Sequence, residues 1–116
     1  PPYDPVRDTW FMHTLALDGT QLYVADVNGI LRVDKQGGVP QQLTSDRAAD
    51  LALDDLYVYY GVLTAGEIRR VPKQGGAVEV LATGQKYPYD VAVDDVAVYW
   101  LAYDDGAIRK VVKPAR

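Results

Sequence analysis

One histidine, one serine and no cysteine occur in a chain of 116 residues, and this scarcity limits nucleophilic chemistry at once. A Ser-His-carboxylate set would have to join His13 to Ser45, yet Ser45 stands in no Gly-x-Ser-x-Gly elbow that would present its hydroxyl. The pair reads as a coincidence of composition. Gly37-Gly38 and Gly75-Gly76 belong to no Gly-x-x-x-x-Gly-Lys-Ser/Thr motif and open no helix, so they read as turns and not as phosphate cradles. Asp54-Asp55, Asp94-Asp95 and Asp104-Asp105 could offer oxygens to calcium. No EF-hand spacing accompanies them, however, and the first two pairs recur at one repeated turn, where an Asp side chain accepts backbone N–H groups. Without cysteine there is no thiolate, no Cys-ligated zinc and no disulfide. The chain therefore reads as a non-enzyme with no cofactor and no metal. The groups left for chemistry are Trp10, His13, Asp50, Tyr87, Tyr89 and Asp90, carboxylates beside aromatic rings that suit a carbohydrate, a cation or a basic peptide. For Asp50 and Asp90 the competing reading is a bond to neighbouring backbone N–H groups.

The elements that would position these residues come from an internal repeat. Gln36-Gly37-Gly38 recurs 38 positions later as Gln74-Gly75-Gly76. Leu17-Asp18, Leu53-Asp54 and Val93-Asp94 correspond, each ahead of Leu22-Tyr23, Val58-Tyr59 and Val98-Tyr99. Ile30-Leu31-Arg32-Val33, Ile68-Arg69-Arg70-Val71 and Ile108-Arg109-Lys110-Val111 follow, and then Lys35, Lys73 and Lys113. The Lys spacing is 38 and then 40. The two extra residues fall between the Tyr and the Ile, which places a loop of variable length there.

Each copy predicts four short strands. Strand A is Asp50-Leu51-Ala52-Leu53 or Asp90-Val91-Ala92-Val93, ending at an Asp turn. Strand B is Leu22 to Ala25, Tyr57 to Tyr60 or Ala97 to Trp100, rich in the aromatic and β-branched residues that suit a packed, pleated surface. Strand C is the Ile-x-Arg/Lys-Val segment, and strand D runs from Val39 to Leu43 or from Ala77 to Leu81. The Gly-Gly pairs are expected to form a two-residue C–D turn that needs positive φ. No stretch sustains a helical period. Four antiparallel strands in a period of 38–40 predict an all-β fold of β-propeller blades. A β-sandwich also has short strands and frequent turns, but it gives no reason for near-identical four-strand units. The blades are expected at about 13–48, 49–88 and 89–116 of one domain, with 1–12 as a latch strand and loop. The B-strand Tyr and Trp residues are expected in the core between blades. Arg32, Arg69, Arg70, Arg109 and Lys110 are expected to lay their stems on apolar surface with their heads in water or on carboxylates.

The segments Val91-Ala92-Val93-Asp94, Val98-Tyr99-Trp100 and Gly106-Ala107-Ile108-Arg109-Lys110-Val111 resemble the repeat of YWTD-type propellers, the six-bladed class of low-density lipoprotein receptor relatives. They resemble still more the related blades of bacterial secreted propellers. The resemblance spans residues 14–113. Only Tyr99-Trp100 keeps the first two letters of the tetrad, and Leu101-Ala102 stand in place of the last two. The other copies read Tyr59-Tyr60-Gly61-Val62 and Tyr23-Val24-Ala25-Asp26, so Asp26 alone keeps a tetrad acid. The resemblance implies an extracellular or periplasmic setting and does not license a receptor function.

Three A, three B and three C strands are expected, but only two clear D strands, and three blades cannot close a ring. Two chains related by a two-fold axis would make one six-bladed ring, so a homodimer is the expected partner state. Pro5 to Arg7 falls where a missing D strand would be counted back from Asp18 and could complete the other subunit's third blade. The alternatives are an excised or engineered propeller fragment, or a fragment of a propeller hydrolase or lyase whose catalytic residues lie in other blades. With 12 Lys+Arg against 16 Asp+Glu and a net charge of -4, a phosphate-tracking nucleic-acid binder is not expected. No apolar run approaches the roughly 20 residues of a membrane-spanning helix. Pro1-Pro2-Tyr3-Asp4 has neither the basic nor the apolar region of a signal peptide. Blade geometry places the D–A and B–C loops on one face, the mouth, where the six candidate binding residues would gather.

Overall fold

The computed structural model describes residues 14–102 and 106–115. They form eleven strands in three antiparallel sheets, with no helix among the described residues. The first sheet has β1 (Thr14–Leu17), β2 (Gln21–Asp26), β3 (Gly29–Asp34) and β4 (Gln41–Thr44), in sequence order. The second repeats it with β5 (Leu51–Leu53), β6 (Tyr57–Val62), β7 (Glu67–Pro72) and β8 (Glu79–Ala82). The third has β9 (Pro88–Val93), β10 (Ala97–Ala102) and β11 (Ala107–Val112). Each sheet is one blade, and consecutive blades stack face to face.

Stacking explains the strand B sequences. A strand with a neighbour on both faces must be apolar on both, which is why β6 reads Tyr-Val-Tyr-Tyr-Gly-Val and buries five of its six residues. Its alternate sides serve two seams. Val58, Tyr60 and Val62, with Leu51 and Val71, meet Tyr23, Ala25 and Ile30 of the first blade. Tyr59 and Ile68 meet Val91, Val98 and Trp100 of the third. The expected core role of the strand B aromatics is realised at Tyr23, Tyr59, Tyr60 and Trp100.

The variable loop lies where the repeat arithmetic put it, since two residues join β2 to β3 and four join β6 to β7. In the shorter turn Asp26 is buried and its Oδ1 accepts the Asn28 N–H at 2.8 Å, so the surviving tetrad acid shapes a hairpin. The C–D connection corrects the sequence reading. The Gly-Gly glycines do take positive φ, 94° and 117° at Gly37 and Gly38, but six residues join β3 to β4 and β7 to β8. After β3 and β7, Lys35 and Lys73 each donate a backbone N–H to the A–B turn of their own blade, at Thr20 O and Leu56 O. A β-turn closed by Asp34 O and Pro72 O follows. The glycines therefore carry the chain out of that turn, and strand D starts two residues later than expected, at Gln41 and Glu79.

Candidate functional site

Two sets of polar residues emerge from this frame: the loops at the mouth and the turns at the opposite end of the blades. At the mouth, the D–A loop after β8 lies against the B–C loop after β6. Gln85 N donates to Gly66 O at 2.8 Å, and a Cβ added to Gly66, whose φ is 66°, would lie 2.3 Å from Gln85 O. That position requires glycine both for its backbone and for the contact. Tyr89 lines a shallow depression of about 360 Å³ with Arg47, Ala48 and Thr64. Tyr87 lines an adjoining one of about 620 Å³ with Leu63, Gly66 and Lys86. Leu63 and Thr64 border both, so the two exposed tyrosines flank a single loop. Tyr87 has φ 47°, in the left-handed region that a bulky residue seldom occupies.

Neither Asp50 nor Asp90 lines either depression. Asp50 Oδ2 accepts the Val91 N–H at 3.0 Å and Oδ1 accepts the Thr14 hydroxyl at 3.4 Å. One side chain thus ties together the A strands of all three blades, from just before β5 to Thr14 at the start of β1 and Val91 within β9. Asp90 is exposed and lies on a β-bulge, where the β9–β10 register shifts between Tyr99 and Leu101 and its φ is 46°. Asp tolerates this conformation better than most residues. The bulge means that Asp90 does not repeat the placement of Asp50. Trp10 and His13, together with the Pro5 to Arg7 latch and Asp104-Asp105, lie outside the described residues. Behind the mouth, Asp46 accepts the Tyr60 hydroxyl at 2.7 Å and pairs with Arg69 at 2.9 Å. Arg69 also pairs with Glu67 at 2.6 Å. Partial burial opposes ionisation of Asp46, but the Tyr60 and Arg69 donors outweigh it and hold its carboxyl below the ordinary range.

The A–B turns carry an arrangement of strict periodicity. Asp18 Oδ1 accepts the N–H groups of Thr20 and Gln21, Asp54 Oδ1 those of Leu56 and Tyr57, and Asp94 Oδ1 those of Val96 and Ala97. Each Oδ2 accepts the hydroxyl of the Tyr five residues on, at 2.9, 2.7 and 2.8 Å for Tyr23, Tyr59 and Tyr99. These carboxylates cap turns, as their recurrence suggested. In the first two blades Oδ2 has a further partner from the following blade, Lys73 Nζ on Asp18 at 2.9 Å and Lys113 Nζ on Asp54 at 3.0 Å. The two ammonium groups also lie 5.5 Å from the Tyr23 and Tyr59 ring centroids. Burial disfavours the charged form of Asp18, but Lys73, the two turn N–H groups and Tyr23 together hold its carboxyl well below the carboxylate range. At Asp54, where burial again opposes ionisation, Tyr59, the turn N–H groups and Lys113 have the same effect. Burial and then the adjacent carboxylate push the Tyr23 and Tyr59 phenols up to about 12. The repeat alignment displayed every member of this triad. It could not show that the Lys reaches backward into the preceding blade.

The basic residues of strand C also pack across the blade. Arg70, only 2% exposed, donates to Glu79 at 2.7 Å, and its guanidinium lies 3.9 Å from the Tyr57 ring centroid. Arg32 reaches from the first blade to the backbone carbonyl of Lys73 in the second at 2.6 Å.

No protein-family model and no curated protein matches the sequence. Among solved structures the chain is similar to one from a nidogen/laminin complex, with a TM-score of 0.72 and 19% identity over 87% of this chain and 47% of that one. It is also similar to selenomethionine-substituted virginiamycin B lyase from Staphylococcus aureus, with a TM-score of 0.65 and 16% identity over 91% of this chain and 42% of the lyase. A catalytically inactive variant of that lyase with quinupristin gives a TM-score of 0.63 at 14% identity. The chain spans less than half the length of these proteins. At such identities the likeness is one of fold, and with three repeated antiparallel sheets stacked face to face it identifies this chain as about three β-propeller blades.

Proposed function

We propose that the chain is a non-enzymatic propeller module that binds and scaffolds, and that it self-associates through its blade faces. One comparison carries the reading. Ile68 and Ile108 occupy the same repeat position on strand C, facing the following blade. Ile68 is 0% exposed beneath the third blade, whereas Ile108 is 77% exposed. Leu101 and Val112 lie on the same face at 39% and 63% exposure. A blade face made to be covered here meets water, and such a patch favours association. The expected assembly is a homodimer that completes a six-bladed ring, with a carbohydrate or peptide as the ligand class at the Tyr87 and Tyr89 mouth.

Light scattering across a range of concentrations tests the association. The chain is expected to approach twice its 12.8 kDa mass, and Ile108→Asp is expected to return it to the single-chain mass while keeping the melting profile that the wild type shows at a dilution where it is monomeric. An Ile108→Asp chain that associates as the wild type does would remove this face from the reading. The competing reading, a piece of a propeller lyase or hydrolase, draws support from the lyase fold likeness. Because its catalytic residues would lie in other blades, heterogeneous association of the isolated chain in place of a discrete dimer would favour it.

A further inference from the structure

The periodic turn triad also specifies what should meet the open face. In the two seams that the chain contains, the rule is uniform. The blade that follows supplies a Lys from just after its strand C, and that Lys binds the Asp Oδ2 which already accepts the Tyr hydroxyl. Each such Lys is set by one backbone bond, its own N–H on the A–B turn carbonyl of its blade, at Thr20, Leu56 and Val96 for Lys35, Lys73 and Lys113.

The rule leaves two half-sites. Asp94 caps its turn and accepts Tyr99 as the others do, but it is exposed and has no lysine hydrogen bond among the described residues. At the other end, Lys35 has the backbone placement of Lys73 and Lys113, yet among the described residues its ammonium donates to the Gly19 carbonyl of its own turn, at 3.3 Å, and to no carboxylate. The first blade has no preceding blade to supply a carboxylate among the described residues. Apolar surface accompanies both half-sites. Ile108 and Val112 are exposed on the Asp94 side. On the Lys35 side Leu15 and Leu17 are each 59% exposed, although Leu51, the repeat equivalent of Leu15, is 7% exposed. Val24, Leu31 and Val33, further in on that face, are already buried, so a partner meets the β1 rim and Lys35.

We propose that a second copy of this chain docks its first blade on the third blade of the first, with Lys35 of one copy bound to Asp94 of the other beside the Tyr99 hydroxyl. This deepens the self-association reading and rests on it. It fixes both orientation and register, since the pairing joins unlike ends, and a two-fold dimer then contains it twice.

Charge reversal with complementation tests the pairing. Lys35→Glu and Asp94→Lys, each alone, place like charges together in both interfaces and are expected to raise the dimer dissociation constant by about 10- to 100-fold in sedimentation equilibrium. Mixed in equal amounts, the two variants regenerate one native pair and one reversed pair in the same dimer, and association is expected to recover. Thermal unfolding of each variant at high dilution checks that its fold is intact. If the wild-type chain is monomeric at every concentration, the parent reading fails and the pairing with it. If the wild type dimerises while both single variants dimerise equally well, or if mixing restores nothing, self-association stands and the Lys35–Asp94 pairing is overturned.

Discussion

Replacing the turn aspartate in each blade by alanine changes the same atoms in three environments, and the structure predicts a graded outcome. At Asp54 the change deletes the acceptor of two turn N–H groups and the oxygen that receives both the Tyr59 hydroxyl and Lys113. Tyr59 is 0% exposed, and the Lys113 and Asp54 side chains are 8% and 10% exposed, so the ammonium and the phenol cannot recover full hydration. Removing one member of a buried ion pair costs about 3–5 kcal/mol. Taking the lower end, because Lys113 keeps some solvent and its Tyr59 ring contact, Asp54→Ala should cost about 3 kcal/mol. For a domain of this size that lowers Tm by on the order of 10–20 °C. At Asp94 the substitution removes the same turn bonds but strands no buried ammonium, and its Tyr99 is only partly buried. The drop should be clearly smaller. Asp18, whose side chain is 28% exposed against 11% for Lys73, should fall between the two. Scanning calorimetry at a dilution where the chain is monomeric reads the series. Equal drops at Asp54 and Asp94 would refute the view that the interblade lysine, and not the turn cap, makes this position costly.

Three further outcomes follow from the same contacts. Asp18 and Asp54 have carboxyls held below their ordinary value of 3.8, so the stability they contribute is complete above that value and is lost as pH falls through the folded-state value. Acid unfolding followed by circular dichroism should begin below about pH 5, and Lys73→Met should flatten the loss. Tyr23 and Tyr59 are pushed up to about 12 from 10.0; they favour the fold below pH 10 and lose that contribution as pH rises through 12. Absorbance titration should therefore show phenols ionising near pH 12, and Asp54→Asn should bring one of them down. A Cβ on Gly61 would lie 2.5 Å from Pro88 O in the next blade, so Gly61→Ala should force the second seam apart and lower Tm, whereas Gly38→Ala, with no atom within 4 Å but a φ of 117°, should show backbone strain alone, about 1–3 kcal/mol.

What the sequence disclosed depended on whether the information was local. Strand order, the B–C loop difference and the burial of Tyr59 and Tyr60 follow from spacing and alternation, and these were legible. The C–D turn was misjudged because Gly-Gly looks like a hairpin, while the preceding backbone bond of Lys35 to Thr20 O joins residues fifteen apart and leaves no mark in composition. Asp50 and Asp90 looked equivalent because both precede an apolar pair. Thirteen positions separate Leu81 from Asp94 where eleven separate Leu43 from Asp54; the extra length is taken up in the longer β9, where Asp90 lies on a bulge, and only the register reveals it. Asp50, in turn, binds Val91 from the neighbouring blade, a contact that spans 41 positions.

The lysines make the same point with a functional consequence. In alignment, Lys35, Lys73 and Lys113 are one conserved-looking column of solvated charge within this chain, with nothing to distinguish the first. In three dimensions two of them have carboxylates in the preceding blade and the first has a carbonyl of its own turn. A periodic sequence builds every copy of a blade with both halves of its joint, and among the described residues Lys35 and Asp94 are the halves that no other blade matches. The apolar faces supply attraction without choosing a partner. In the proposed pairing the two unmatched charges would choose, because burying Asp94 or Lys35 against a face without its counterpart costs free energy that the correct register avoids.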